Sequence, residues 1–288
     1  MMIQDIFTDI ENFRLYVQGV DGSTEMGSLS PAYDAAESAV TEIIGSTVFA
    51  TLAAMPDTDA VKRALKRALA SYTMYRHLIF WSTSRNNTDQ KLFKYQYEEI
   101  KEVHICQYWD AMNEILRYLD AHTATIPAWM DQPAYKDRVA LPVKSADEFD
   151  YYYGIDHNEY FFTKVLFLIR TVTKGKILPR IGSFSDYSET DDAAFLEKVR
   201  RTLCYNVMAE AVMKFDLTEL PRSMRYDLTH ELRKDGSQMQ SREKLYNNLM
   251  ADVNAWLNDI ENEVKYRRSS GNVTADFNEE KEKFFGVL

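Results

Sequence analysis

A chain of 288 residues, 45% hydrophobic and 13% aromatic, holds enough apolar material for one large domain or two of ordinary size without covalent staples. Its formal charge of −10 excludes general affinity for a polyanion, since nucleic-acid binding needs many phosphates neutralised by Lys and Arg, so any DNA contact is local. Two cysteines, Cys106 and Cys204, exclude a disulfide framework and a four-cysteine zinc site, and they read as buried free thiols.

The first residues, MMIQDIFTDIENF, are interrupted by acids and carry neither a basic nor an apolar run, so no export signal is expected there. Ser30-Pro31 then predicts a capped helix start, and Gly45 the left-handed residue that ends it. Met55 to Asp59 breaks the chain and caps a helix over 60–81, where Val61, Leu65, Leu69, Tyr72, Tyr75 and Ile79 recur at three and four. After the polar SRNNTD, residues 90–121 run without Pro or Gly for about nine turns, which predicts the longest helix of the protein. Pro127, Pro133 and Pro142 interrupt the next segment. Helices follow over 158–174, 191–215 and 237–267, and then a polar tail with a turn at SSGN that gains order on a partner. The apolar stretch from Tyr160 to Val172 contains Lys164 and Arg170 and falls short of the roughly 20 residues of a membrane span.

The two halves of the chain resemble each other. Phe13 and Tyr16 match Phe149 and Tyr152 at a spacing of 136, and Val20-Asp21 then meet Ile155-Asp156. Ile44-Gly45-Ser46 matches Ile181-Gly182-Ser183 at 137, and Leu65 to Leu69 faces Val199 to Leu203 at 134. Asn113 and Leu116 match Asn254 and Leu257 at 141. Four blocks in one order, drifting only by loop-sized amounts, predict a duplication. The expected fold is all-α: two tandem, structurally similar helical bundles of about three main helices each. The first repeat spans 1–125, a proline-containing connection 126–144, the second repeat 145–268 and the tail 269–288.

Catalytic patterns are sparse. His77, His104, His122, His157 and His230 form no HExxH, HxH or ExxH spacing, so no metal site is expected, and core or solvated histidines are the simpler reading. Gly175-Lys176 lacks the rest of a phosphate loop, and neither GxSxG nor GxGxxG occurs. Asp186, Glu189, Asp191 and Asp192 precede a helix and suit its dipole, while Glu98, Glu99 and Glu102 suit a solvated face. Lys62, Arg63, Lys66 and Arg67 form a basic patch echoed by Lys198, Arg200 and Arg201. A solvated face is the plain reading of these seven, and an interface with an acidic neighbour or a DNA passage the functional one. Tyr151-Tyr152-Tyr153 with Tyr160, Phe161 and Phe162 suits packing beneath helices, with an interface as the alternative.

An aromatic lead-in (FRLYV), a helix closing on an Ile-Gly turn (AESAVTEIIGSTVFATL) and a long helix bearing LKRALASYTMY follow one another in an order that resembles the helical head–tail connector (adaptor or neck) proteins of tailed phages. The likeness is closest to a duplicated branch of these in phages and prophages of gut Bacteroidetes. It implies a non-enzymatic virion subunit, assembled in the bacterial cytoplasm as a homo-oligomeric ring below the portal. It also implies contacts with the portal and other neck or tail proteins, local contact with packaged DNA, and neither cofactor nor membrane. A helical interaction module of the cytoplasm is the rival reading, and an enzyme with an unfamiliar helical site the third.

Overall fold

A computed structural model describes residues 2–20, 22–85, 94–225, 228 and 238–283. With 77% helix and no strand among the described residues, the protein is all-α. It divides into two compact units, Met1–Val139 with Asn158–Thr163, and Ala140–His157 with Lys164–Leu288.

In the first unit two short helices, α1 (Ile3–Ile6) and α2 (Ile10–Arg14), lead into the bundle. Asp9 caps α2 by accepting the Asn12 N–H at 2.8 Å. Phe7 and Phe13, both fully buried, meet edge to face at 5.0 Å and tuck the lead-in under the main helices. These are α3 (Met26–Ile44), α5 (Ala60–Arg85) and α6 (Lys94–Ala121), with the short α4 (Ser46–Ala53) after α3. α5 packs against both α3 and α6, burying Leu65, Leu69, Met112 and Leu116 at the predicted helical spacing.

Two predicted details differ. α3 begins at Met26, so Pro31 lies inside it and Ser30 is no cap. The N–H that proline lacks would have met the Gly27 carbonyl, which water can serve because both residues are exposed. The added turn is fastened by Ser28, whose N–H and hydroxyl donate to the Glu25 carbonyl at 3.0 and 2.7 Å. Gly45 does end α3, but at φ 81°, ψ 152°, a region reserved for glycine rather than the left-handed helical one.

The proline-rich segment is, as far as Val139, part of the first unit. A 3₁₀ turn (Pro127–Trp129) and α7 (Pro133–Val139) converge on Asp120 of α6. The buried Trp129 indole donates to Asp120 at 2.7 Å, and the buried Arg138 donates to the same carboxylate at 2.7 Å with Glu159 3.5 Å away. A carboxylate thus shared by two buried donors holds the segment down, which proline spacing alone could not reveal.

The second unit repeats the plan. α8 (Ala146–Tyr152), capped by Ser145, buries Phe149 as α2 buries Phe13. α9 (Glu159–Val172), whose residues up to Thr163 belong to the first unit, starts under an Asn158 cap and, instead of stopping at Lys174, passes through a π-helical turn (Thr173–Ile177) into α10 (Leu178–Ile181), ending at Gly182 with φ 87°. The widened turn carries the chain past Gly175 without breaking the helix. α11 (Ala193–Lys214) then packs on α8 and on α12 (Gln238–Lys283). At 46 residues against 28 for α6, α12 is the longest helix described, and it runs through the predicted SSGN turn. One glycine lowers helix propensity by about 1 kcal/mol, too little to stop a helix already many turns long. The end of the predicted tail, 284–288, lies outside the described residues, as do 90–93 and His230.

Each unit therefore has three main helices in one order behind a short lead-in helix. The matched positions Phe13 and Phe149, Leu65 and Val199, Leu69 and Leu203, and Leu116 and Leu257 are buried in both.

Candidate functional site

The two basic patches turn inward to different degrees. Lys62 and Lys66 are buried on α5. The Lys62 ammonium donates to the Ala53 carbonyl, and burial together with the like charge of Lys66 holds its pKa below the ordinary lysine range. Lys66 donates to Asp57 at 2.7 Å, and its ammonium lies over the rings of Phe7 and Tyr16 at 5.9 and 5.4 Å. It therefore ties three segments together: the lead-in, the Met55–Asp59 break and α5. Arg63 donates to the Thr58 carbonyl at 2.5 Å and Arg67 pairs with Glu114 of α6, both at the surface.

In the second unit Arg200, the repeat counterpart of Lys66, plays the same part. Its guanidinium bonds Glu189 in the loop before α11, lies 3.7 Å from Glu148 of α8 and donates to the Pro142 carbonyl at 3.2 Å. Its charge also reaches Tyr152, the counterpart of Tyr16: burial raises the pKa of that phenol and Arg200 opposes the rise. The Arg200 bond holds the Glu189 carboxyl below the usual carboxylate range, and Glu189 in turn raises Arg200. Lys198 pairs with Glu263 of α12 at 2.9 Å, and Arg201 with Glu197 one turn back at 3.1 Å. In both units, then, a cation from the second main helix, a carboxylate from the loop before it and a tyrosine of the lead-in form one clasp.

The acidic loop before α11 also serves the fold. Asp186 accepts the Ser183 N–H at 3.0 Å, and Asp192 accepts the Ser188 N–H at 2.9 Å and pairs with Arg267. A small cavity of about 150 Å³ opens here, lined by Asp191, Asp192, Phe195, Lys198, Glu263 and Arg267, whose charges largely neutralise one another. Among the described residues no three His, Cys, Asp or Glu side chains are placed to hold a metal ion, and no helix is long and apolar enough to cross a membrane. Of the histidines, His104 is buried, His122 stacks on Tyr118 at 3.9 Å, and the exposed His157 lies 2.7 Å from Asp147. Cys204 is buried and Cys106 half-buried, both as free thiols. The aromatic run splits: Tyr160, Phe161 and Phe162 are core, whereas Tyr151 is exposed.

Fold and side-chain placement thus define a class, a tandem helical-bundle protein in which several of the described ionisable groups pair helices with their loops and neighbours. The chain belongs to a family of unknown function, DUF6712, whose model matches residues 31–139 and 182–270. The two matched segments fall one in each half, in keeping with the duplication. No curated protein and no solved structure matches the chain.

Proposed function

We propose that the chain is a non-enzymatic structural subunit of a phage or prophage virion, a head–tail connector that forms a ring below the portal. The observation that carries this reading is the duplicated bundle. Each unit closes its own core, and its charged side chains clasp neighbouring helices, leaving surfaces suited to holding other proteins. Of the basic patches, Arg63, Arg67 and Arg201 are the exposed members that this reading offers to packaged DNA, while Lys62 and Lys66 are withdrawn from it. Electron microscopy of the purified chain, alone and mixed with the portal protein from its own locus, tests the proposal. Rings, or a complex seated on the portal, are expected. A monomer indifferent to the portal would overturn it and favour an interaction module of another kind.

A further inference from the structure

Large apolar side chains left in water at matched places in a duplicated protein mark a position with a use. Leu15 is 78% exposed and Tyr151 72% exposed, and they are repeat counterparts, each two residues beyond the buried phenylalanine that anchors its lead-in helix. Acidic residues lie near both in sequence. Glu11 stands one turn before Leu15 beside its partner Arg14, and the exposed Asp147 stands one turn before Tyr151, with Asp150 and the exposed Asp156 close in sequence. Residues 145–157 carry four acids and no Lys or Arg; Glu148 among them faces Arg200 and Asp150 is half-buried beside His157, which leaves Asp147 and Asp156 as the exposed acids beside the Tyr151 knob.

The same chain supplies a complementary feature. By the match of Leu116 with Leu257, the counterpart of the end of α6 at Ala121 is residue 262, yet α12 continues to Lys283. The 21 surplus residues, about 31 Å of helix, are ones the first unit forms its bundle without. At the base of this arm Tyr266 is 72% exposed, and Lys265, Arg267 and Arg268 flank it.

We propose that the chain self-associates head to tail, the Tyr266 face of α12 on one copy seating against the Tyr151 knob of α8 on the next. The two exposed tyrosines stand at the centre of the contact, and the Arg268 and Lys265 charges meet the Asp156 and Asp147 carboxylates, Lys265 exchanging its pair with Glu261 and Asp147 its contact with His157 on association. Because the two patches are different, the contact is heterologous and propagates into a ring or an open chain rather than stopping at a dimer. The inference deepens the ring-subunit reading and rests on it only for the expectation of self-association.

Sedimentation equilibrium on the full chain, at low and high salt, is the test. Tyr151→Asp and Tyr266→Asp should each weaken association by about tenfold or more, with the circular-dichroism melt of the chain unchanged. The reversals Asp147→Lys and Arg268→Glu should each weaken it, and together they should restore it. Leu15→Asp, at the counterpart position, should leave it within about threefold. Loss on Leu15→Asp alone, failure of the paired reversal to restore, or a strictly monomeric wild type would each overturn the proposal. A monomer that still seats on the portal would overturn this contact and keep the connector reading; an oligomer that is lost in Tyr151→Asp and Tyr266→Asp but forms no closed ring and ignores the portal would keep this contact and overturn the connector reading.

Discussion

Lys66 separates a structural from a functional reading of the basic patch by the sign of its mutational effects. Its side chain is 2% exposed, while its partner Asp57 is 59% exposed. The ammonium has therefore lost its hydration, whereas much of the carboxylate's attraction is screened by water. Lys66→Met keeps the stem that fills the space beneath Phe7 and Tyr16 and removes the charge that had to be desolvated, so stability should change by no more than about 1 kcal/mol in either direction. Lys66→Ala also empties that space and should cost about 2–4 kcal/mol. Asp57→Ala leaves the ammonium with ring faces alone and should cost about 1–3 kcal/mol, the solvent near Asp57 keeping it below the cost of a fully buried pair. Urea unfolding followed by tryptophan fluorescence would rank the three, and gel retardation with duplex DNA would be unaffected by Lys66→Met. A methionine variant as damaged as the alanine one, or a harmless Asp57→Ala, would refute the clasp.

The glycine ending α3 offers a sharper local test. Gly45→Ala would force φ 81° on an alanine, while the Gln132 carboxamide, 2.1 Å from the new Cβ, can swing aside, so a loss of about 1–3 kcal/mol from backbone strain is expected in thermal melts. Acid sensitivity of the first unit should begin at His104. Burial lowers the pKa of this imidazole, so below about pH 6.5 the unfolded chain takes a proton that the folded one resists. Its destabilising effect is absent at higher pH and grows as pH falls. His104→Leu should flatten the stability profile between about pH 6.5 and 5, and an unchanged slope in urea titrations across that range would contradict the assignment. His77, half-buried and lowered by the same cause, adds a smaller slope of the same sign.

What the sequence made legible was whatever repeats at short range. The four-residue spacing of Val61, Leu65 and Leu69 forces one face of α5 into the core wherever that helix packs, and Gly45 and Gly182 end their helices because other residues resist positive φ. The fate of the basic patch was not legible, because Lys and Arg at helical spacing look the same whether solvated or clasped. The deciding partners lie far along the chain: Asp57 nine residues before Lys66, Glu114 on another helix from Arg67, and Glu189 eleven before Arg200. Pro31 and the π-helical turn escaped for a related reason, since in each a local penalty of a few kcal/mol is outweighed by a helix that packing already fixes.

The clasps also bear on how the two halves diverged. A lysine with a largely exposed carboxylate in the first unit corresponds to an arginine meeting two carboxylates and a backbone carbonyl in the second. Arginine's planar fork can serve several acceptors at once, whereas the lysine ammonium is a point charge that turns to one acceptor and the ring faces. The geometry of the clasp survived while its chemistry changed, as expected if selection acted on the seating of the lead-in helix rather than on the cation itself. Leu15 and Tyr151 ride on those lead-in helices, one or two residues from the clasped tyrosine or the buried phenylalanine. The clasp therefore fixes the direction in which each apolar knob leaves the surface, and loosening it should weaken whatever docks there even where no docking residue is touched.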